Sequence, residues 1–278
     1  MHTTPSSQAC PVCGNTASRT MPKPKLSDEQ WDLIADLIPK YVSLKVGGRP
    51  PCPPRACLEG ILWILRSGAR WKDLPKCFPS PATCWRRLQC WAESGLFAEM
   101  WIRLLQCLDD LRQIDWTEAL ADGTFARAKR GGACVGKTKC GKGTKIMVLS
   151  DAEGIPLAAE IHSASPAEVT LIESLLDEQP LPKTPQRLIY DMDADSDPLR
   201  DRLQERGIEL ICPHRKNRVK PATQDGRRLR RYRKRYKIER LNSWIQNFRR
   251  LVVRYEHMGT NFLGFVELAC RMIVMRKL

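Results

Sequence analysis

Near Ile114 the hydrophobic pattern of this 278-residue chain changes period. Before it, apolar residues recur at three- and four-residue spacing, as on one face of a helix. After it they come in short runs bounded by turn residues, which reads as strands. A chain with one such change folds as a helical segment followed by a mixed sheet with helices on its faces, an α+β arrangement. The pattern divides the chain into a polar, Pro-rich tail at 1–25, a helical region at 26–112 and a sheet-containing region at 113–278.

In the helical region Ser27 offers an N-cap with Gln30 at the third position. Trp31, Ile34, Ala35, Leu37 and Ile38 then form an apolar face that ends at Pro39. A loop centred on Gly47-Gly48-Arg49-Pro50-Pro51 leads to predicted helices at 55–67, 80–91 and 97–111. Trp85, Arg86 and Arg87 on one short helix fit a helix-turn-helix that enters a DNA major groove, and equally a plain helical bundle. Beyond Ile114 the prediction is strands at 117–125, 144–150 and 155–161, a helix at 166–177, a strand at 187–191, a helix at 198–206 and a strand at 208–211. A long helix at 234–255 follows. A final apolar helix at 262–275, with Phe262, Phe265, Leu268 and Ile273, is a packing or dimer surface.

Charge narrows the function. Lys and Arg number 46 against 31 acids, a net charge of +15, and the excess is concentrated. Positions 127–145 hold seven Lys/Arg and no acid, and positions 215–237 hold twelve with one acid, Asp225. A merely solvated surface intersperses the signs, so two focused runs point to a nucleic-acid backbone. Lys137, Lys139, Lys142 and Lys145 in the first run, and Arg227, Arg228, Arg230 and Arg231 in the second, are the candidate phosphate contacts. No apolar run approaches the ~18 residues of a membrane span, and the opening MHTTPSSQACPVCG lacks the apolar stretch of a secretory signal. The expectation is a cytoplasmic, nucleoid-associated chain whose twelve cysteines are mostly reduced. Cys10 and Cys13 have metal-ligand spacing, but no second pair follows, so a tail with two thiols is the default.

Three acids stand out by context. Asp122 ends the first predicted strand, Asp191 ends Leu-Ile-Tyr-Asp, and Glu239 lies on the helix after the second basic run. A carboxylate ending a buried strand is costly unless paired or metal-bound. Two strand-end aspartates side by side, with a glutamate brought in by a helix, make a hard oxygen site for Mg²⁺ or Mn²⁺. Two such ions suit phosphoryl transfer. Taken singly, Asp122 as a turn cap, Asp191 as a helix cap and Glu239 as a surface ion pair are sufficient readings. Other motifs carry less. No GxxxxGK[ST] phosphate loop is present. His162 reads as a satisfied structural histidine. Cys134 and Cys140 lack a His partner. Trp31, Trp63 and Trp71 read as core.

From about Lys25 to its end the sequence resembles bacterial insertion-sequence transposases of the DDE type, in the insertion-sequence-five group. The resemblance rests on LSDEQW at 26–31, GRPP at 48–51, GILWILRSGARW at 60–71, GKGTK at 141–145, IHSAS at 161–165 and RKNR at 215–218. Tyr232-x2-Arg235-x3-Glu239 matches the group's Y-x2-R-x3-E signature, and Arg240 and Trp244 match the wording after it. The resemblance implies a ribonuclease-H-like catalytic fold behind a helix-turn-helix-like region, with Asp122, Asp191 and Glu239 as the metal triad. It also implies DNA-binding roles for Tyr232, Arg235 and Arg240. Two departures accompany it. The signature's final Lys is Gln246 here, and the Asp-Lys pair at the second acid is Asp191-Met192, followed by Asp193. The implied activity is metal-dependent cleavage of DNA at the element's ends and strand transfer to target DNA, by a homodimer or larger oligomer. The alternative is a catalytically weak remnant that only binds DNA.

Overall fold

The computed structural model describes residues 25–39 and 50–278. Cys10, Cys13 and the Gly47-Gly48-Arg49 stretch lie outside the described residues. Ser27 caps α1 (Asp28–Asp32). Its hydroxyl accepts from the Gln30 N–H while the Gln30 side chain accepts from the Ser27 N–H, so two orphan donors are satisfied reciprocally. Then come α2 (Pro54–Ser67), α3 (Pro81–Glu93) and α4 (Leu96–Asp110). Their inward faces, among them Leu58, Ile61 and Leu65, Leu88 and Trp91, and Met100, Leu104 and Leu108, are buried. Trp31, Trp63 and Trp71 are half-buried against this core, and Trp71 stacks on Phe265 with ring centroids 6.3 Å apart.

The sheet begins at β1 (Ala119–Ala128), followed by β2 (Gly136–Thr138), β3 (Gly141–Asp151) and β4 (Pro156–Ser163). After α5 (Ile172–Asp177) come β5 (Arg187–Ile189), α6 (Asp197–Glu205) and β6 (Glu209–Ile211). β3 pairs antiparallel with β1 on one edge, and with β2 and then β4 along the other. β5 runs parallel to β1, and β6 parallel to β5. Three antiparallel strands flanked by two parallel ones make the ribonuclease-H-like mixed sheet. The β-β-β-α-β-α-β order is present, with β2 as an additional short strand in the first basic run.

Downstream the predicted helix at 234–255 is not continuous. The chain forms α7 (Gly226–Leu229), a 3-10 stretch (Arg230–Arg235), α8 (Tyr236–Gln246), α9 (Arg249–Val252) and β7 (Val253–Arg254). Tertiary contacts override the helical pattern here. Phe248 turns extended, and Val253, β-branched, pairs in parallel with Arg127 of β1. Arg250, buried, is fixed to Glu256 at 2.6 Å and donates to the Ala69 carbonyl at 3.0 Å. The predicted helix at 166–177 likewise opens as a 3-10 turn (Glu168–Thr170) before α5.

The last helix, α10 (Gly259–Val274), packs against α3 and α4 as well as β4. Phe262, Phe265, Leu268 and Ile273 are buried within the chain. Their role is therefore internal packing. Just before α10, Arg254 is 1 % exposed, and among the described residues no carboxylate pairs with its guanidinium. All five of its N–H groups are used instead. They reach the carbonyls of Ala133, Cys134, Glu256 and His257 and the Thr144 hydroxyl. This arginine ties the loop of the first basic run to the sheet. The approach is close enough that a Cβ on Gly132, at φ 138°, would meet the His257 carbonyl oxygen at 2.1 Å.

Arg254→Met strands the carbonyls of Ala133, Glu256 and His257 and leaves that of Cys134 with the Thr144 hydroxyl alone. At about 1 kcal/mol for each lost bond, less the regained desolvation of the guanidinium, the loss is about 3 kcal/mol. A lower urea midpoint that Arg254→Lys does not restore is the expected outcome.

Candidate active site

Asp122 lies in the body of β1, opposite Val148 of β3, and not at the strand's end as the sequence pattern predicts. The strand runs on because β3 pairs with it as far as Arg127, and β7 adds a partner for Arg127 and Ala128. β5 sets Leu188 beside Ala119 and Ile189 beside Leu120. The same offset brings Asp191 level with Asp122. Asp191 itself stands past the end of β5 and caps a 3-10 turn (Met192–Ala194), accepting from the Asp193 N–H at 2.9 Å.

α8 packs across β1 and brings the third acid. Arg235, Glu239, Asn242 and Gln246 follow one another at helical spacing on one face. Asn242 Nδ2 donates to Asp122 Oδ2 at 2.9 Å, and Gln246 Nε2 donates to Thr124 Oγ1 at 3.0 Å. Arg235 stands among the acids. Its Nη2 is 3.1 Å from Asp122 Oδ1 and 3.5 Å from Asp191 Oδ2, and its Nε is 3.8 Å from Glu239 Oε1. Its Nη1 donates to the Tyr232 hydroxyl at 3.0 Å. The three acids singled out in the sequence thus meet at one guanidinium. As placed, with that guanidinium between them, no three acids, histidines or cysteines among the described residues converge on a single ion. The donor chemistry nevertheless fits a hard divalent cation, because it is all carboxylate oxygen on a half-buried shelf.

Burial pushes Asp122 up to about 6 against the pull of Arg235, and Glu168 and Asp191 add to the rise. Burial likewise raises Asp191, opposed by the Asp193 N–H and Arg235. Glu168 is a fourth acid at this place, and sequence reasoning missed it. It follows β4 at the start of a 3-10 turn, where nothing local marks it. The signal available was Asp122-Gly123. A glycine inside a strand marks a close approach, and here the Glu168 carboxyl fills the space a Cβ would take.

The basic candidates separate into groups. Lys137, Lys139 and Lys142 are exposed around the β2–β3 hairpin, and Arg230 is exposed next to α7. Lys145 is drawn inward to the Pro166 carbonyl at 2.7 Å, with Glu168 at 3.6 Å. Arg227 pairs with Asp225 and Arg228 with Glu209, both at 3.0 Å. Arg231 and Lys234 hold Glu118, which is fully buried. Arg240 lies over the rings of Trp244 and Tyr236, at 5.0 and 6.0 Å. His162 is satisfied by Glu160 at 2.5 Å. Met192 is 42 % exposed, and Arg215 donates to the carbonyls of Met192 and Asp193. Although burial works against it, the Arg215 N–H, His214 and Arg200 hold Asp195 down at about 2.

Residues 107–271, more than half of the chain, match the family described as the transposase DDE domain. The chain belongs to the DDE transposases. Residues 26–101 match a second description, transposase of the IS4/5 family. Among relatives, the protein named as the transposase for insertion sequence element IS402 from Burkholderia cepacia is 33 % identical over 139 residues, which is 47 % of this chain and 62 % of that one. A 16.2 kDa protein of insertion element IS402 from the same organism is 41 % identical over 122 residues, covering 42 % of this chain and 83 % of that protein. The fold is similar to that of piggyBac transposase in its synaptic complex with hairpin DNA, with a TM-score of 0.51 at 11 % identity over 88 % of this chain and 70 % of that chain.

A carboxyl raised from 3.8 to about 6 by folding holds a proton that the unfolded chain has already released. Stability therefore falls as pH rises through that window. Asp122→Asn is expected to raise the thermal midpoint at pH 8 and to do so much less at pH 4. An equal gain at both would remove burial of the ionised group as the cause.

Proposed function

We propose that this transposase cuts DNA at the ends of its own insertion sequence and joins the freed ends to target DNA, with Asp122, Asp191 and Glu239 as the catalytic acids. The observation that carries this is the gathering of carboxylates from β1, from just past β5 and from α8 around the one guanidinium of Arg235. Asp122, Asp191 and Glu239 would hold divalent ions, Mg²⁺ or Mn²⁺, by their carboxylate oxygens. Such ions activate an attacking water and neutralise a leaving oxygen.

The chain's own residues orient the rest. Asn242 holds one oxygen of Asp122. The shelf is half-buried, which strengthens every charge interaction on it. In the first step a water oxygen bonds to phosphorus at the element end and the bond to the 3′-oxygen breaks, leaving a 3′-hydroxyl. In the second, that hydroxyl bonds to a target phosphorus and displaces a 3′-oxygen there. No covalent protein–DNA intermediate is formed. Lys137, Lys139, Lys142 and Arg230 hold phosphates, with Lys145, Arg227, Arg228, Arg231, Tyr232, Arg235 and Arg240 closer to their protein partners and to the site. These contacts set position and carry little sequence information. Residues 26–112 read the element ends and residues 113–278 carry the chemistry, in a homodimer or larger assembly on the DNA within the nucleoid.

Purified protein is expected to cleave the DNA flanking its own reading frame in Mg²⁺ or Mn²⁺. Asp122→Asn and Glu239→Gln should each lower the rate by about three orders of magnitude, on the scale of losing an essential charge at a reacting centre. Salt-sensitive binding with no cutting in either ion would instead mark a DNA-binding remnant. Recovery on restoring Met192→Lys with Asp193→Ala would then place the defect beside Asp191. Separately, Lys137→Ala, Lys139→Ala and Lys142→Ala should each reduce the slope of log affinity against log salt by about 1.

A further inference from the structure

The Glu168 carboxyl touches the immediate neighbours of both aspartates. On one side it lies flat on Gly123, the residue after Asp122. A Cβ there would stand 2.6 Å from Oε1 and 2.8 Å from Oε2. On the other side its Oε2 accepts from the Tyr190 hydroxyl at 2.7 Å, and Tyr190, fully buried, immediately precedes Asp191. Lys145 forms an ion pair with Oε1 at 3.6 Å. A glutamate whose only task was to satisfy a buried tyrosine would not need to displace a side chain from the strand beside the central acid.

We propose that Glu168 is a fourth carboxylate of the acidic centre, a divalent-cation ligand alongside Asp122 and Asp191, and that Gly123 and Tyr190 are the positioning residues that aim it. This rests on the reading that Asp122 and Asp191 hold divalent ions. A second feature of the same place supports it. Asn242 is 7 % exposed, its amide nitrogen is on Asp122, and its Oδ1 has no hydrogen-bond partner. Three carboxylates and a buried amide oxygen make the all-oxygen donor set that Mg²⁺ and Mn²⁺ take. The negative charge of Glu168 also bears on both aspartates, adding to the upward shift of each. A cation between them relieves that repulsion.

The test is Mn²⁺ binding to the intact protein without DNA, read from the paramagnetic resonance of free Mn²⁺. Glu168→Gln keeps the shape and the acceptor for Tyr190 but removes the charge. It is expected to weaken Mn²⁺ about tenfold or more, on the scale of altering a metal site's ligands and supports, with the circular dichroism spectrum unchanged. Gly123→Ala, which pushes the Glu168 carboxyl off the strand, should weaken Mn²⁺ similarly in the wild-type background and have little further effect in Glu168→Gln. Wild-type affinity in Glu168→Gln, with Mn²⁺ lost in Asp122→Asn, would overturn the role of Glu168 alone. Equal losses from Gly123→Ala in both backgrounds would overturn the positioning role of the glycine. Absence of Mn²⁺ binding by the wild type would overturn the divalent-ion reading of Asp122 and Asp191, and this proposal with it.

Discussion

The site depends on how β1 divides one of its edges. Its other edge pairs with β3 from Ala119 to Arg127 without a break. On the divided edge, β5 pairs at Ala119 and Leu120, and β7 pairs at Arg127 and Ala128. Between these two short ladders α8 reaches the strand with side chains, Asn242 to Asp122 and Gln246 to Thr124. A continuous strand there would have covered Asp122. The gap lets a helix deliver Glu239 and Arg235 to the point where β5 delivers Asp191. The same gap explains why the helix predicted at 234–255 had to break, since its last residues supply the strand that closes the lower ladder.

Much of this was legible in the sequence, and the reasons differ by element. The helices at 55–67, 80–91 and 97–111 declared themselves by period, because each buries one apolar stripe along its length. The three acids were legible because each sits next to a short apolar run or a signature whose spacing is local. Glu168 was not, because its meaning comes from Gly123 and Tyr190, which lie far from it in the chain. β7 was hidden for the same reason. Val253 and Arg254, after a helical pattern, become a strand only when Arg127 and Ala128 are beside them.

The basic run at 215–237 shows the limit of counting charge along a chain. Within the run one acid faces twelve bases. In space, Arg218 serves Asp195 and Asp197, Arg228 serves Glu209, and Arg231 and Lys234 serve the buried Glu118. Two of the candidates for phosphate contact, Arg228 and Arg231, are therefore already engaged in holding the sheet. The lysines of the β2–β3 hairpin are placed differently. They are exposed, on a loop whose base is fastened by the five bonds of Arg254. A fastened base would leave side-chain ordering as the main local entropy cost of gripping a backbone there.

Arg235 gives the acidic centre a built-in rival for its ligands. Because the guanidinium is tethered one residue before α8, it faces the carboxylates at an effective concentration of roughly millimolar or above, whatever the protein concentration. On the proposed divalent-ion reading, an ion arriving from solution would compete with that tethered cation, so its occupancy would follow the difference between two affinities. Trace divalent ions would then be poor competitors, and the centre would fill over a window of ion concentration set by the arginine. Moving the guanidinium onto a DNA phosphate would lower that threshold, which would make ion loading and DNA engagement thermodynamically linked events on one side chain.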